Sequence, residues 1–329
     1  MPRLIKQYQQ WNPSLSVPEL RCESLVPVPD AKSDRVGVFF TGGVDSWYTL
    51  LEKRDEITDL IYVHGFDLRL EQAGMRRQVS RLVQEVGAQM GVQVVEVETN
   101  ARNLLRDLSW HDFAHGSALA CIGHLLQQPL SRCYISASYS DGYSEAHATG
   151  PELDPLWGTE QLEFIHFGYE TRRIDKVARI SQHDAALQHL RVCWVNNTSR
   201  LNCGRCEKCI RTMLSLRAHD ALGRCTTFEQ GLSPKHIEKL FIRPIAHDWA
   251  LDNLRVLREK PGCEDLCVAL QRVMNKPNWL VRLNHRKVRV LFWAVKRIRR
   301  YPVLNRWLKR AQEHLMKRRA IEKGKTIRT

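Results

Sequence analysis

A short glycine-containing loop near the N-terminus carries the residue types that bind phosphate. The loop reads Thr41, Gly42, Gly43, Val44, Asp45 and Ser46. It follows an apolar run at residues 36–40 and precedes a stretch of helical character at residues 47–53. Two adjacent glycines let backbone amides approach oxygen atoms that a Cβ would block, and the N-terminus of the following helix favours an anion.

The polar residues of the loop match this chemistry. The hydroxyl groups of Thr41 and Ser46 can donate hydrogen bonds to phosphate oxygens, and the carboxylate of Asp45 can hold Mg²⁺. A Gly-Gly pair alone would indicate only a tight turn between a strand and a helix. Because polar groups stand at the positions that phosphate and metal require, we predict a phosphate site.

This loop resembles the Ser-Gly-Gly-x-Asp-Ser signature of the PP-loop ATP pyrophosphatases, with Thr41 in place of the first serine. It differs from the Walker loop, which has longer spacing and a lysine after its last glycine. The resemblance implies that the loop binds the pyrophosphate part of ATP, which is split between its α- and β-phosphates. AMP would then be transferred to an oxygen of a small-molecule acceptor, from which a nitrogen or sulfur nucleophile displaces it.

Alternating strand and helix patterns predict the elements that position the loop. Strands are predicted at residues 36–40, 60–66, 92–97, 133–138, 163–167 and 190–195, with helices at 73–90 and 113–126. This alternation is typical of an α/β, Rossmann-like parallel sheet, and the resemblance implies its adenine nucleotide alpha hydrolase-like form. Ligands bind beyond the carboxyl ends of such strands. Asp67 and Asp141 are therefore predicted to face the same crevice as Asp45, and either could share Mg²⁺ with it.

Four cysteines farther along the chain have the spacing of a metal site. They are Cys193, Cys203, Cys206 and Cys209. Three thiols separated by two residues each can wrap one ion, whereas a redox pair needs only two. Four thiolates with no open position make a structural zinc site. An iron–sulfur cluster is the alternative, because thiolates suit both.

The loop and the cysteines together resemble the 7-cyano-7-deazaguanine synthase group over residues 34–222. The resemblance implies that the four cysteines are the zinc ligands. It also matches Arg173–Val177 with the lysine-bearing helix start of that family, which implies that Lys176 contacts a phosphate or the adenylated oxygen. A solvated helix charge is the alternative for Lys176. The family segment that frames the deazapurine corresponds to Ser138–Glu145, which lacks its proline and cysteine, so the resemblance implies a reaction class and no substrate.

Positive charge is concentrated at the C-terminus. Residues 271–329 contain 19 Lys or Arg and 2 Asp or Glu, a net charge of +17, so the rest of the chain carries −3 of the total of +14. We predict an N-terminal extension at 1–33, a PP-loop domain with its zinc knuckle at 34–225 and a helical, basic region at 226–329. That region could pack on its own domain, lie on an anionic membrane surface or bind nucleic acid, and the sequence leaves these alternatives open.

Two features of the sequence bear on where the protein works. No run of about 18 uncharged apolar residues occurs, and the N-terminal residues lack the apolar stretch of a secretory signal. We therefore expect no transmembrane segment and a cytoplasmic protein, peripheral to the membrane if the basic region binds lipid. Its cysteines are expected to be reduced or metal-bound.

The predicted function is that of an ATP-dependent ligase. With ATP and Mg²⁺ bound, a carboxylate or amide oxygen of the acceptor would be adenylated, and ammonia or an amine would displace AMP. One alternative is a tRNA-directed thiolation enzyme, for which Cys121 or Cys133 is the nearby candidate for a reactive thiol. The other is a nucleotide-binding regulator without turnover.

Overall fold

The computed structural model describes residues 2–19, 21, 33–138, 147–196, 200–243 and 246–286. The predicted site residue Asp141 lies outside these ranges, as do the basic residues from 287 to the C-terminus. Within the described residues, none of the helices has the length and apolar character that crossing a bilayer requires.

The chain alternates strands and helices through its first 180 residues. The strands are β1 (Val36–Phe39), β2 (Asp59–His64), β3 (Gln93–Glu98), β4 (Arg132–Ser136) and β5 (Glu163–Phe167). The helices are α1 (Pro2–Trp11), α2 (Val44–Glu52), α3 (Ala73–Met90), α4 (Ala101–Leu104), α5 (His115–Leu125), α6 (Arg173–Ile180), α7 (Asp184–Gln188), α8 (Glu207–Ala218), α9 (Pro234–Ile237), α10 (Asp248–Leu257) and α11 (Glu264–Met274). A π-helix covers Trp110–Ala114, and 3₁₀-helices cover Asp154–Trp157 and Leu222–Arg224.

The five strands form one parallel sheet in the order β3-β2-β1-β4-β5. The predicted α/β architecture and five of the six predicted strands are therefore confirmed. β1 lies at the centre, which puts the loop that follows it at the point where the strand order reverses. That point is where open parallel sheets bind their ligands.

Helices cover both faces of the sheet because apolar side chains alternate along its strands. Val38 and Phe40 are fully buried in one core, together with Leu50 of α2 and Val83 of α3. Phe39 points to the other core, which includes apolar residues of α5. Each buried side chain of this size contributes about 1.5–3 kcal/mol, so burial on two faces holds the end of β1 firmly.

The predicted strand at residues 190–195 is wrong. These residues form no strand, and their amides are used elsewhere. The N–H of Arg191 donates to the carbonyl of Gly42 at 2.7 Å. The amides of Val192 and Cys193 both donate to Oδ1 of Asn202, at 2.9 and 3.2 Å. A side chain thus takes the place that a neighbouring strand would have filled, and the segment is tied to the glycine loop.

The chain divides into two compact units. The first contains residues 1–240 and 248–270, and the second contains residues 241–247 and 271–329. Within the first unit, Oγ of Ser215 in α8 donates to Oδ1 of Asn253 in α10 at 3.0 Å. Within the second unit, Nζ of Lys276 lies 4.2 Å above the ring of Phe241, and residues 278–286 are helical.

Candidate active site

The glycine loop makes a tight passage from β1 into α2. Gly42 has a φ of +74°, and a Cβ there would lie 3.3 Å from the carbonyl oxygen of His189. Oγ of Ser46 donates to the carbonyl of Gly43 at 3.1 Å. In the part of the chain that the structure describes, the N–H groups of Gly43, Val44 and Asp45 donate no hydrogen bond. Three amides are thus left for an anion at the start of the helix.

A cavity of about 490 Å³ opens at this loop, beyond the carboxyl ends of the central strands. The loop and α2 contribute Thr41, Gly43, Val44, Asp45 and Ser46 to its wall, and Asp67 follows β2. The structure therefore brings together the loop residues and Asp67, as the sequence predicted. Gly42 is buried behind the wall, where its carbonyl holds Arg191.

Positive charge exceeds negative charge on the described part of this wall. Its cationic side chains are Arg102, Arg173, Arg191 and Lys208, and its carboxylates are Asp45 and Asp67. These residues come from distant parts of the chain, which the fold brings to one cavity. An excess of cations over carboxylates on a concave wall favours an anionic ligand, because the summed positive potential attracts negative charge.

Asp45 is the most constrained of these charged residues. Its Oδ2 accepts a hydrogen bond from Arg173 at 2.8 Å, and its Oδ1 lies 3.6 Å from Nζ of Lys176. Burial alone would raise the pKa of Asp45, but the charges of Arg173 and Lys176 outweigh it and lower that pKa. The carboxyl group is therefore ionised at neutral pH. Oδ1 is buried and makes no hydrogen bond among the described residues.

Lys176 lies behind the cavity rather than on the described part of its wall. Its side chain is 3% exposed, and its Nζ donates to the carbonyl of Ala137 at 2.7 Å. It is thus buried rather than solvated, and it links the end of β4 to Asp45. Burial lowers the pKa of Lys176, whereas the negative charge of Asp45 raises it by a smaller amount.

Arg191 is a wall residue that the sequence reading missed. Its side chain is 3% exposed, with Nη2 donating to Oδ1 of Asn196 at 3.0 Å and Nη1 lying 3.7 Å from Oδ2 of Asp67. Reading residues 190–195 as a strand hid this role. Arg173 was also missed as a cavity residue, although it stands at the same helix start as Lys176 and could have been found there.

The four predicted cysteines come together as a cluster. The sulfur atoms of Cys193 and Cys206 are 4.0 Å apart, those of Cys203 and Cys209 are 3.9 Å apart, and all four lie within 4.8 Å of one another. A tetrahedron with metal–sulfur bonds of about 2.3 Å has sulfur–sulfur edges of about 3.8 Å. The cluster could therefore hold one metal ion.

Backbone amides support the sulfur atoms of this cluster. The N–H groups of Arg205 and Cys206 point to the sulfur of Cys203 at 3.5 and 3.3 Å, and that of Cys209 points to the sulfur of Cys206 at 3.4 Å. Such donors stabilise thiolates, which are the form that binds metal. The predicted ligand set is thus preorganised by the turn that precedes α8.

The cysteine cluster and the cavity are neighbours. Cys193 lies on the cavity wall, and so do Trp194 and Lys208, the residues beside the ligands. Nζ of Lys208 lies 5.6 Å from the centre of the Trp194 ring, an arrangement typical of a cation–π contact. Burial lowers the pKa of Lys208, and the charges of Arg211 and Arg173 lower it further. A metal in the cluster would therefore also fix cationic and aromatic groups of the cavity.

Histidines occupy another part of the wall. His115 and Thr149 line the cavity, and the rings of His111 and His147 lie 6.5 and 4.9 Å from that of His115. Burial is the main cause that lowers the pKa of both His115 and His147 to about 4, so both rings are neutral at pH 7. These residues were missed because His111 and His147 are far apart in the sequence and match no motif.

We expect replacement of one cysteine ligand to release the metal. Cys206→Ser leaves three thiolates, and we expect loss of the bound ion with a fall of more than about 3 kcal/mol in the free energy of unfolding. Metal content by mass spectrometry and urea unfolding measure both effects. The control is Cys121→Ser, which changes an exposed thiol outside the cluster. A Cys206→Ser protein that keeps one ion per chain would contradict the assignment.

The three neighbouring histidines His111, His115 and His147, which we call the histidine group, predict that the stability of the protein depends on pH. Folding lowers the pKa of His115 and His147 from 6.5 to about 4, so the unfolded chain binds more protons between these pH values. The free energy of unfolding should therefore fall as the pH falls from 6.5 to 4, by up to about 3 kcal/mol for each histidine.

Urea unfolding at several pH values tests this dependence. His147→Gln should flatten the slope between pH 6.5 and 4, because one titrating group is removed. His124→Gln, in α5 but outside the histidine group, is the control and should keep the slope. Equal slopes in the wild type and in His147→Gln would show that the folded protein does not hold His147 neutral.

Comparison of the chain with protein-family models, with curated proteins and with solved structures gives no match. The likeness to the PP-loop enzymes therefore rests on the residues of the glycine loop and the cysteine cluster. The chemistry that these residues could perform depends on the cavity that lies beside them.

Proposed function

We propose that this protein is an ATP-dependent ligase of the PP-loop type. ATP would bind in the cavity with its pyrophosphate portion on the loop from Thr41 to Ser46. An oxygen of a small acceptor would attack the α-phosphorus and release pyrophosphate. Ammonia or an amine would then displace AMP from the adenylated acceptor.

The charge of the cavity is the observation that carries this proposal. Four cationic side chains and two carboxylates line its described wall, beside amides that have no acceptor among the described residues. A triphosphate supplies the negative charge and the acceptor oxygens that such a wall requires. A volume of about 490 Å³ is of the size that holds a small ligand.

Individual groups have distinct parts in this proposal. The amides of Gly43 and Val44 and the hydroxyl of Thr41 would bind the β- and γ-phosphates, and Ser46, whose hydroxyl donates to the carbonyl of Gly43, would hold the loop in shape. Arg191 and Lys208 would neutralise the phosphate oxygens, and Arg173 would do so while it holds Asp45. None of these residues needs to form a covalent bond, because alignment of the two substrates and stabilisation of developing charge supply most of the acceleration.

The carboxylates of the wall fit a magnesium ion. Oδ1 of Asp45 is a buried oxygen without a hydrogen bond among the described residues, and Asp67 is half exposed on the same wall. Mg²⁺ prefers such oxygen ligands, and when bound it would neutralise phosphate charge. Lys176 would keep Asp45 ionised and in place, which is a positioning role and differs from the phosphate contact that the family resemblance implies.

We also propose that the cysteine cluster binds zinc. The sulfur–sulfur distances of 3.9 and 4.0 Å fit one central ion. In a 4Fe–4S cluster each thiolate binds a different iron, and in a 2Fe–2S cluster two thiolates share each iron, so neither brings all four sulfurs as close together as one central ion does. Assays for zinc, iron and acid-labile sulfide on the wild-type protein distinguish the two, and zinc without sulfide is expected.

A thiolation enzyme is less well supported. That reaction needs a reactive thiol at the cavity, and Cys193 is the cysteine on its described wall, inside the metal cluster. Burial raises the pKa of Cys133 to about 12, so its thiol is inert at neutral pH. Cys121 is exposed on α5 and does not line the described cavity.

Substitution of Arg191 tests the nucleotide site. Arg191→Gln should weaken the binding of ATP with Mg²⁺ by about 10- to 100-fold, because a hydrogen bond to a charged group is worth about 1.5–3 kcal/mol. Calorimetric titration measures the change. The control is Arg132→Gln, which changes an arginine at the amino-terminal edge of the sheet, where it pairs with Glu56 and Glu163. Equal affinities for both variants and the wild type would exclude a phosphate contact by Arg191.

Turnover is tested by the release of pyrophosphate and AMP from ATP. A panel of small carboxylic acids with ammonium chloride is expected to contain an acid that triggers release, and Asp45→Asn should slow that release by more than about 100-fold. Dependence on a sulfide donor and RNA would instead favour thiolation. Binding of ATP without release of pyrophosphate under any of these conditions would favour a regulator.

A further inference from the structure

The histidine part of the cavity wall has no task in the binding of ATP. His115 begins α5 directly after the π-helix Trp110–Ala114, and both Trp110 and His115 line the cavity. π-Helices are rare and occur frequently at functional sites, because the extra residue turns side chains away from their regular directions. Here the irregular turn brings an indole and an imidazole to the same wall.

The tautomer of His115 follows from its neighbours. Nδ1 of His115 lies 3.0 Å from the carbonyl oxygen of Trp110, which can only accept, so Nδ1 carries the proton. Nε2 is then a proton acceptor. It lies 3.4 Å from Oγ1 of Thr149, whose hydroxyl can donate to it.

Thr149 is fixed beside His115 by two contacts. Nδ1 of His147 lies 2.9 Å from the carbonyl oxygen of Thr149 and therefore donates to it. At Gly116, a Cβ would lie 1.8 Å from the carbonyl oxygen of Ala148, so only a glycine allows this approach. The start of α5 and the chain at Thr149 are thus in direct contact, which sets the geometry of the His115–Thr149 pair.

His115 is neutral because burial and the neighbouring His111 outweigh the charge of Asp67, which favours the imidazolium. His111 and His147 lie beside it, Asp67 acts on it from a distance, and Arg102 lies 4.7 Å from the ring centre of Trp110. Burial has the largest effect on the pKa of His115 and lowers it. Nε2 can therefore accept a proton from a bound molecule that takes the place of the Thr149 hydroxyl, whose oxygen is 3.4 Å away.

We propose that Nε2 of His115 takes the proton of the nitrogen nucleophile when that nucleophile displaces AMP. This role rests on the proposed ligase function, and it makes His115 a catalytic residue of the second half-reaction. Thr149 is a positioning residue that directs Nε2, and neither residue takes part in the adenylation step.

In the proposed step, the nitrogen nucleophile replaces AMP on the carbonyl carbon of the acceptor. The lone pair of ammonia or of an amine forms a bond to the carbonyl carbon of the adenylated acid. The bond between that carbon and the phosphate oxygen breaks, and AMP leaves with the electron pair. The proton that the nitrogen loses moves to Nε2 of His115, which becomes an imidazolium and later returns the proton to water.

Charge from the nucleotide makes this transfer easier. A phosphate that lies in the same cavity favours the charged form of an imidazole and raises its pKa toward neutrality. The imidazole of His115 should therefore be a stronger base when the adenylate is bound than in the protein alone. Proton transfer by a positioned side chain typically contributes about 100- to 10,000-fold to a rate.

The test separates the two half-reactions in His115→Gln. The probe is the carboxylic acid from the panel that gives the fastest release of pyrophosphate, with ATP, Mg²⁺ and ammonium chloride. Within a single turnover, we expect amide formation to fall by at least about 100-fold while pyrophosphate release stays within about 3-fold of the wild type. The control is His111→Gln, which changes an exposed ring of the same histidine group that does not line the described cavity, and both rates should be retained.

A second variant distinguishes a base from a structural residue. In His115→Ala, added imidazole should restore part of the amide formation, which a merely structural role would not allow. A parallel loss of both half-reactions without rescue, or normal amide formation in His115→Gln, overturns the role of His115. If the wild type releases no pyrophosphate with any acid, the proposed ligase function fails first and the role of His115 fails with it.

Discussion

The buried ion pairs around Asp45 are the interaction on which the site depends. A carboxylate at the first turn of α2 is held by Arg173 and Lys176, both from α6, and Lys176 also binds the carbonyl that follows β4. Loss of one partner from such a group costs about 3–5 kcal/mol, because an unpaired charge is left buried. The same contacts that join α2, α6 and β4 thus keep Asp45 ionised at the cavity. The contacts that stabilise this part of the fold are thus the same ones that set the charge of the cavity at Asp45.

The irregular segment after α7 depends on a different constraint. Residues 190–196 have no regular secondary structure, yet they carry Arg191 and Trp194 to the cavity. Asn202 binds the amides of Val192 and Cys193, and the sulfur of Cys193 belongs to the metal cluster. A metal ion would therefore add a second support to this part of the wall, beside the hydrogen bonds of Asn202. Such sites organise segments that have little core of their own.

The sequence predicted what depends on local pattern and missed what depends on distant contacts. Alternating apolar runs and helical periodicity gave the five strands and α3 with nearly correct bounds, because periodicity records which face is buried. The apolar run at 190–195 shows the limit of this signal, since Asn202 rather than a strand satisfies its amides. The loop and the cysteines could be singled out because their residue types stand at short spacings, and Asp67 because it follows a predicted strand of the parallel sheet. Arg191 and the histidine group could not be found this way, because their partners come from other elements.

The cavity wall has a cationic part near the glycine loop and a part formed by histidines, and the electrostatics of the two parts are linked. Burial, and to a lesser extent the neighbouring His111, lower the pKa of His115, so its imidazole is neutral at pH 7. A bound phosphate chain would reverse the sign of the local charge. The imidazole would then become a better base at the stage when adenylation has supplied both the leaving group and the negative charge. In the proposed ligase, the phosphate charge would therefore have to be in place before His115 accepts a proton readily.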